Sequence, residues 1–337
     1  MINVALIGYG YWGPNLARNF VDCPATALVG VADQSAAKRE AAARRYPGIA
    51  VTNTADALIN DTNVDAVAIA TPVATHFPLA SAALAAGKHV FVEKPMTDTV
   101  ESAQTLVDEA DRRGLTLMVG HTFIYSSPVR KIQELSGSGA LGDILYYDSR
   151  RINLGLFQTD VNVVWDLAVH DLAIIESLGL KVEGVSCTGV KHFGQPHENL
   201  AFISLFFEGG AVGHLNVSWL SPVKVREVLI GGAKQMVVYD DMEPSNKIFV
   251  FDKGVTITKD PAEILQRRVG YRSGDMLAPS LAQIEPLATE VAHFADCIAT
   301  GKAPMSDGRA GLAVVKTLAA AERSMRNKGS FERTDSA

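Results

Sequence analysis

Cysteine is scarce in this chain: Cys23, Cys187 and Cys297 are three among 337 residues, odd in number and far apart. That usage suggests neither a disulfide framework nor a zinc site, so no metal is expected and a reduced compartment fits. Long hydrophobic runs are also lacking, and none reaches the roughly 18–20 residues that cross a bilayer. The first strand-like run begins at residue 2, which leaves no room for the basic segment and cleavage site of a secretory leader. Positive charge is in deficit: the net charge is −6, and no Lys/Arg cluster is interleaved with aromatics. Nucleic acid is therefore not an expected partner. There is no internal repeat and no low-complexity linker. The expectation is a soluble cytoplasmic protein with no membrane contact.

Apolar residues are plentiful, at 47%, and a chain of this length suits two domains with separate cores. The most specific stretch comes first. Val4-Ala5-Leu6-Ile7 turns straight into Gly8-Tyr9-Gly10-Tyr11-Trp12-Gly13, a helical segment follows, and a second apolar run ends on Asp33. Strand, glycine turn, helix, strand and terminal acid make up the dinucleotide-binding fingerprint. Gly8 gives the tight turn, Gly10 lets backbone N–H groups approach a pyrophosphate, and Gly13 lets the helix pack against the strand. The helix N-terminus offers unsatisfied donors to the phosphates. Asp33, 25 residues after Gly8, is placed to accept from a ribose 2′-hydroxyl. Its carboxylate repels a 2′-phosphate and Gln34 follows it, so NAD is expected over NADP. Lys38 and Arg39 on the next helix are the cations that argue the other way.

Residues 1–121 alternate short apolar strands with helical segments, the pattern of a parallel sheet covered on both faces. From about Asp143 the pattern changes to successive strands joined by short turns, with Glu208-Gly209-Gly210 reading as a hairpin turn. One helix, Val164 to Ser177, interrupts that series, and two more close the chain before a frayed last half dozen residues. The expectation is an α/β Rossmann domain over 1–121 and an α+β domain over 122–330 with a large, mostly antiparallel open sheet.

Several residues have the chemistry for a reaction. Glu93-Lys94-Pro95 follows the strand His89–Val92, and ligands of open parallel sheets bind outside the carboxyl ends of strands. Lys94 reads either as a proton-transfer group at the mouth of the nucleotide site or as a surface lysine opening a loop. Thr71-Pro72 and His76 follow the fourth strand on the same rim, where His76 orients groups near the nicotinamide or serves as a structural hydrogen-bonder. Thr75 is suited to cap the next helix, and His121 follows the sixth strand. Asp166 and His170 are four apart on one helix and share a face. They pair a carboxylate with an imidazole that titrates near neutrality, or they line the polar side of an amphipathic helix. Arg150, Arg151, Asn153, Asn162 and Trp165 surround them, a mixture that suits polyhydroxylated ligands. A pair of exposed arginines at a strand end is the plainer alternative for the first two.

Together these motifs resemble the Gfo/Idh/MocA family of oxidoreductases over nearly the whole chain. The resemblance rests on the glycine fingerprint, Thr71-Pro72 with His76, Glu93-Lys94-Pro95, and Asp166 with His170. Two late helical signatures add to it, Glu290-Val291-Ala292-His293-Phe294 and Asp307-Gly308 with Ala319-Ala320. It implies a catalytic set of Lys94, Asp166 and His170. Lys94 and His170 would move the proton, and Asp166 would hold the substrate or orient its neighbours. Gly8, Gly10, Tyr11, Trp12, Gly13, Asp33, Thr71, Pro72, His76, Glu93 and Lys94 would bind the cofactor. Lys94, His121, Arg151, Asn153, Asn162, Trp165, Asp166 and His170 would meet the substrate. It also implies a cis peptide before Pro95 and homo-oligomers, dimers or tetramers, that pair open sheet faces. Relatives often carry an arginine where this chain has Thr122. The stretch from Arg151 to Leu167 resembles a branch acting on sugar nucleotides, including C3 of UDP-linked amino sugars and uronates. Other activities in reach of the resemblance are an inositol or free-sugar dehydrogenase, an NAD-dependent glycoside hydrolase and a non-catalytic sensor.

Overall fold

The computed structural model describes residues 1–155, 157–158, 160–257 and 269–335, with the side chains of 254–257 and 269–271 left aside. The contacts divide the chain into two compact units. The first comprises Met1–Ser126 with Ile284–Ala319, and the second Ser127–Gln283 with Ala320–Ala337.

In the first unit, β1 (Ile2–Ile7), β2 (Thr26–Ala32), β3 (Ala50–Thr52), β4 (Ala66–Ile69), β5 (His89–Glu93) and β6 (Leu117–Gly120) form one sheet in the order β3-β2-β1-β4-β5-β6. Every pairing is parallel. The strand order reverses between β1 and β4, which makes the crevice beyond their carboxyl ends the place for a ligand. The strands are short and apolar because helices cover both faces: Ala66 to Ile69 and Val90 to Val92 are fully buried. The helices are α1 (Gly13–Asp22), α2 (Ala36–Arg45), α3 (Asp56–Ile59), α4 (His76–Ala85) and α5 (Val100–Arg113). Helix α5 shows both ends of the sequence grammar. Thr99 accepts from Ser102 N–H at 3.2 Å, and Gly114 leaves the helix at φ 65°. Three-residue β3 is too short to have shown a periodic pattern in the sequence.

The second unit opens with α6 (Ser127–Gly137), a helix the sequence reading did not anticipate. The helix read over 164–177 begins as a π turn, Val164–Ala168, and continues as α7 (Val169–Ser177). The strands are β7 (Ile144–Leu154), β8 (Val182–Val190), β9 (Leu200–Phe207), β10 (Val212–Ser218), β11 (Leu220–Gly232), β12 (Met236–Asp240), β13 (Ile248–Phe251), β14 (Gly254–Ile257), β15 (Val269–Arg272), β16 (Met276–Leu277) and β17 (Glu332–Arg333). Nine of them form a sheet in the order β16-β13-β12-β11-β7-β10-β9-β8-β17, while β14 and β15 pair separately. The large sheet is antiparallel except where β10 runs parallel to β7.

The hairpin read at Glu208-Gly209-Gly210 is present. Gly209 and Gly210 sit at φ 85° and 89°, and Phe207 N–H donates to Ala211 at 3.1 Å. The frayed tail is a correction: Glu332 and Arg333 add an edge strand to β8 through backbone bonds that charged side chains do not advertise. Strand β9 alternates strictly. Ala201, Ile203, Leu205 and Phe207 are buried, while Phe202 and Phe206 are exposed.

Two helices close the fold, α8 (Pro286–Thr300) and α9 (Gly308–Arg326). Helix α8 belongs to the first unit. Phe294 packs edge-on against Phe91 of β5 and Phe20 of α1, with ring centroids 5.7 and 6.5 Å away. At its start Glu285 accepts from Nη1 and Nη2 of Arg18. The link to α9 runs beside β6, where Val119 N–H donates to Ser306 at 2.8 Å. Among the described residues no helix is long and apolar enough to cross a membrane.

Candidate active site

The glycine loop has the geometry its spacing implies. Gly8 turns at φ +95°, and a Cβ there would lie 2.4 Å from the Ala70 carbonyl oxygen. A Cβ on Gly13 would lie 2.2 Å from Gly8 O, whereas the space beside Gly10 is open. The loop can thus be approached closely at Gly10, beside the N-terminus of α1, as a pyrophosphate requires. Tyr11 beside it is almost wholly exposed and Trp12 half-buried. Asp33 follows β2 and holds the loop: Oδ2 accepts from Tyr9 N–H at 2.7 Å and Oδ1 from Ser35 N–H at 2.8 Å. An ionised carboxylate has about four acceptor sites, so about two remain for a ribose. Arg39 donates to the carbonyls of Asp33 and Gln34 at 2.9 and 2.8 Å. These residues fit a dinucleotide such as NAD.

Thr71 and Pro72 follow β4 at the point where strand order reverses. His76 is fully buried, with Nε2 2.9 Å from Thr71 O and Nδ1 2.9 Å from Pro95 O. Its ring therefore ties the loop after β4 to the one after β5. Thr75 does not cap α4 with its side chain; its hydroxyl turns back to Thr71 and to the Pro72 carbonyl, each at 2.7 Å.

Glu93 and Lys94 end β5, and the Lys94–Pro95 peptide is cis. Glu93 is opposite Gly120 of β6. A Cβ at 120 would come within 3.1 Å of the Glu93 carboxyl, so glycine makes room for that side chain. Lys94 N–H donates to Glu93 Oε2 at 3.2 Å. Burial pushes the Glu93 carboxyl up to about 7, while the Lys94 charge and the Trp12 indole pull the other way. His121, just beyond β6, is buried, and burial with the nearby Lys94 pushes its imidazole down to about 3. The first unit thus gathers every residue read there as cofactor- or substrate-binding along the carboxyl edge of its sheet.

In the second unit, Asn162 starts the π turn: Oδ1 accepts from Val164 and Trp165 N–H at 3.0 and 3.2 Å. Such i→i+5 turns are uncommon and recur at functional sites. Asp166 Oδ2 accepts from Trp219 Nε1 at 3.0 Å, and Trp165 Nε1 donates to Glu322 at 3.1 Å. Arg151 is buried, its Nε donating to Asp171 at 2.9 Å, whereas exposed Arg150 donates to Glu227 at 2.8 Å. Arg151, Asn162 and Trp165 therefore have polar atoms committed inside the unit. Asn153, Asp166 and His170 are half-buried and keep accessible surface.

Residues 2–121 match the oxidoreductase family with an NAD-binding Rossmann fold, and residues 129–238 match the GFO/IDH/MocA C-terminal domain. The chain belongs to the Gfo/Idh/MocA family. It is thus an oxidoreductase with the family's NAD-binding domain. Among Gfo/Idh/MocA proteins it is 28% identical to UDP-N-acetylglucosamine 3-dehydrogenase of Acidithiobacillus ferrooxidans, over 93% of this chain and 94% of the relative. A solved structure of that enzyme, GnnA, superposes with a TM-score of 0.83 at 25% identity, covering 98% of this chain and 99% of the other. The scyllo-inositol 2-dehydrogenase (NAD⁺) of Bacillus subtilis is 25% identical over 90% of this chain and 88% of its own length. The uncharacterised oxidoreductase YdgJ of Escherichia coli is more alike locally, 38% identical, but only over 44% of this chain and 42% of YdgJ.

Three residues at these sites escaped sequence reasoning. Trp219 holds Asp166 from between two strands and had no local signal. Thr122 donates to Glu290 Oε2 at 2.7 Å across 168 positions of chain. Glu290 counted only as part of a late helical signature.

Proposed function

We propose that the protein oxidises or reduces a secondary carbinol of a sugar nucleotide, with C3 of a UDP-linked amino sugar or uronate as the leading substrate. The observation that carries this reading is the match to UDP-N-acetylglucosamine 3-dehydrogenase over 94% of that relative's length, together with the presence here of Lys94, Asp166 and His170. NAD, when bound, supplies the hydride acceptor. The remaining work falls to the chain. One of two groups accepts the single hydroxyl proton as hydride leaves the carbon, Lys94 at Nζ or His170 at its imidazole, and Asp166, braced by Trp219, orients the substrate. General-base assistance of this kind contributes about 10²- to 10⁴-fold.

The preference for NAD over NADP rests on the Asp33 carboxylate. We assign the protein to the cytoplasm on its three free cysteines, and to a homo-oligomer on the exposed apolar residues Phe202, Phe206 and Val212 of its large sheet. An absorbance screen for NADH formation across UDP-sugars, free sugars and inositols tests the reading. A UDP-N-acetyl sugar should reduce NAD best. Preference for scyllo-inositol would transfer the assignment to the activity named for the Bacillus subtilis relative, and glycosidic cleavage without net NADH would make the protein a hydrolase.

A further inference from the structure

Two carboxyl groups of the first unit have no part in the chemistry outlined above. Glu93 precedes Lys94, and Glu290, early in α8, has no exposed surface. Thr122 gives its hydroxyl to Glu290 Oε2 at 2.7 Å. The Trp12 indole lies against the Glu93 carboxyl, and among the described residues no hydrogen-bond partner meets the buried atoms Glu290 Oε1 or either ring nitrogen of His121. Native proteins seldom leave buried polar atoms in this state without a functional reason.

The titratable groups facing this cluster are few. Lys94 comes from the end of β5, His121 from beyond β6, and Glu290 and Tyr125 from α8 and the turn before α6. His121 and Tyr125 are held neutral by burial. Among these described residues that leaves the Lys94 cation for two carboxyls in a buried site, where a second negative charge is opposed both by desolvation and by the first.

We propose that Glu290 is kept as a neutral acid while the negative charge of the two carboxyls sits on Glu93 beside Lys94, so that both are positioning residues for Lys94. The direction of each group agrees: burial lifts Glu93 to about 7, and burial together with the Glu93 charge lifts Glu290 well above the carboxylate range. Ionised Glu93 favours the Lys94 ammonium. Neutral Glu93 lets Lys94 give up its proton at lower pH. The pair therefore sets the pH at which Lys94 can accept a proton from substrate, a consequence that rests on the role proposed for Lys94 above.

Infrared spectroscopy of the full-length protein without cofactor tests the two protonation states directly. Between about pH 5.5 and about pH 8.5, a range that brackets a carboxyl raised toward neutrality, one protonated-carboxyl band should disappear and a second persist. Glu93→Gln should remove the first and Glu290→Gln the second. Absence of any protonated-carboxyl band in the wild type at the higher pH overturns the proposal, and the wild type alone decides this arm should a variant not fold. The second arm is the pH profile of kcat/KM for oxidation. Glu93→Gln should move its ascending limb to lower pH by on the order of 1 unit, and Glu290→Gln, neutral like the acid it replaces, should move it less. A Glu93→Gln enzyme that slows with its limb unmoved, or a larger shift in Glu290→Gln, overturns the positioning role. Infrared bands as described in a protein that oxidises no sugar or inositol would sink the proposed function and leave the neutral Glu290 standing.

Discussion

Arg151 and Asp171 form an ion pair sealed inside the second unit, with Nε 2.9 Å from Oδ2 and side chains 4% and 0% exposed. Tyr147 adds a hydroxyl to Asp171 Oδ1 at 3.2 Å. The pair joins β7 to the helix α7, whose second residue is His170. Breaking a buried pair from one side leaves an uncompensated charge and typically costs about 3–5 kcal/mol, whereas replacing both partners with apolar groups is often neutral. Arg151→Met should therefore lower the urea midpoint of the second unit by a loss in that range. The double variant Arg151→Met/Asp171→Leu should recover most of it. A single variant as stable as wild type would show that the pair does not hold α7.

Asp33 combines two tasks that a cofactor titration can separate. It fixes the glycine loop through Tyr9 N–H, and its remaining lone pairs suit a ribose hydroxyl. Hydrogen bonds to a charged group contribute about 1.5–3 kcal/mol, so Asp33→Ala should weaken NAD by about tenfold to a hundredfold. NADP should lose less, because a 2′-phosphate no longer meets a carboxylate, and the preference should narrow or invert. Unchanged NAD affinity measured by fluorescence titration would remove Asp33 from the cofactor site.

What the sequence displayed was whatever lies close together along the chain. The glycine fingerprint and Asp33 fall within one strand–helix–strand unit, so spacing alone exposed them. Long strands such as β9 were legible as strands, though not which of their faces is buried. Arg151 looked like a solvent-facing charge because its partner is 20 residues away on another element. The Thr122–Glu290 bond spans half the chain and leaves no local trace. Helix α6 lies between the boundary read at residue 121 and the strand pattern from Asp143, a stretch given no element, and β17 is built by backbone bonds under charged side chains that carry no strand pattern.

The alternation of β9 sets the test of assembly. Phe202 is 45% exposed and stacks on His214 of β10, with ring centroids 6.4 Å apart. Leu205, three positions on, lies on the buried side. An apolar sheet face of this kind is unusual on a monomer. Sedimentation equilibrium at micromolar concentration should give a dimer or tetramer, and Phe202→Asp should shift it toward monomer. A monomeric wild type would refute the assignment.

His121 gives stability a dependence on pH of known sign. Its folded imidazole is pushed down to about 3, below the ordinary value of about 6.5. The unfolded chain therefore binds the extra proton first. Its contribution is whole above about pH 6.5 and is lost as pH falls toward the folded value, by up to about 1.4 kcal/mol per pH unit. Glu93, raised to about 7, works oppositely: its contribution is present at low pH and lost as pH rises through that value. Comparing wild type with His121→Gln isolates the first slope. Denaturant unfolding at several pH values should show wild type losing stability faster than the variant as acid is added, and parallel curves would mean that His121 does not stay neutral.

Lys94 and His170 carry the proposed proton transfer, so their removal should strike turnover rather than binding. Lys94→Ala and His170→Ala should each lower kcat by about 10²- to 10⁴-fold, the usual range for a positioned acid or base. NAD affinity should stay near wild type, since the glycine loop and Asp33 are untouched. Substrate KM should change less than kcat if the lost interaction belongs to the transition state. Asp166→Asn keeps an acceptor for the Trp219 indole N–H, which reaches Oδ2 at 3.0 Å, while removing the charge. It should therefore be milder than Asp166→Ala, in which Trp219 also loses its partner. Steady-state kinetics on the substrate found by the NADH screen would decide each case. Near-wild-type kcat in Lys94→Ala or in His170→Ala would move that residue to a supporting role, and in both it would abandon the assignment.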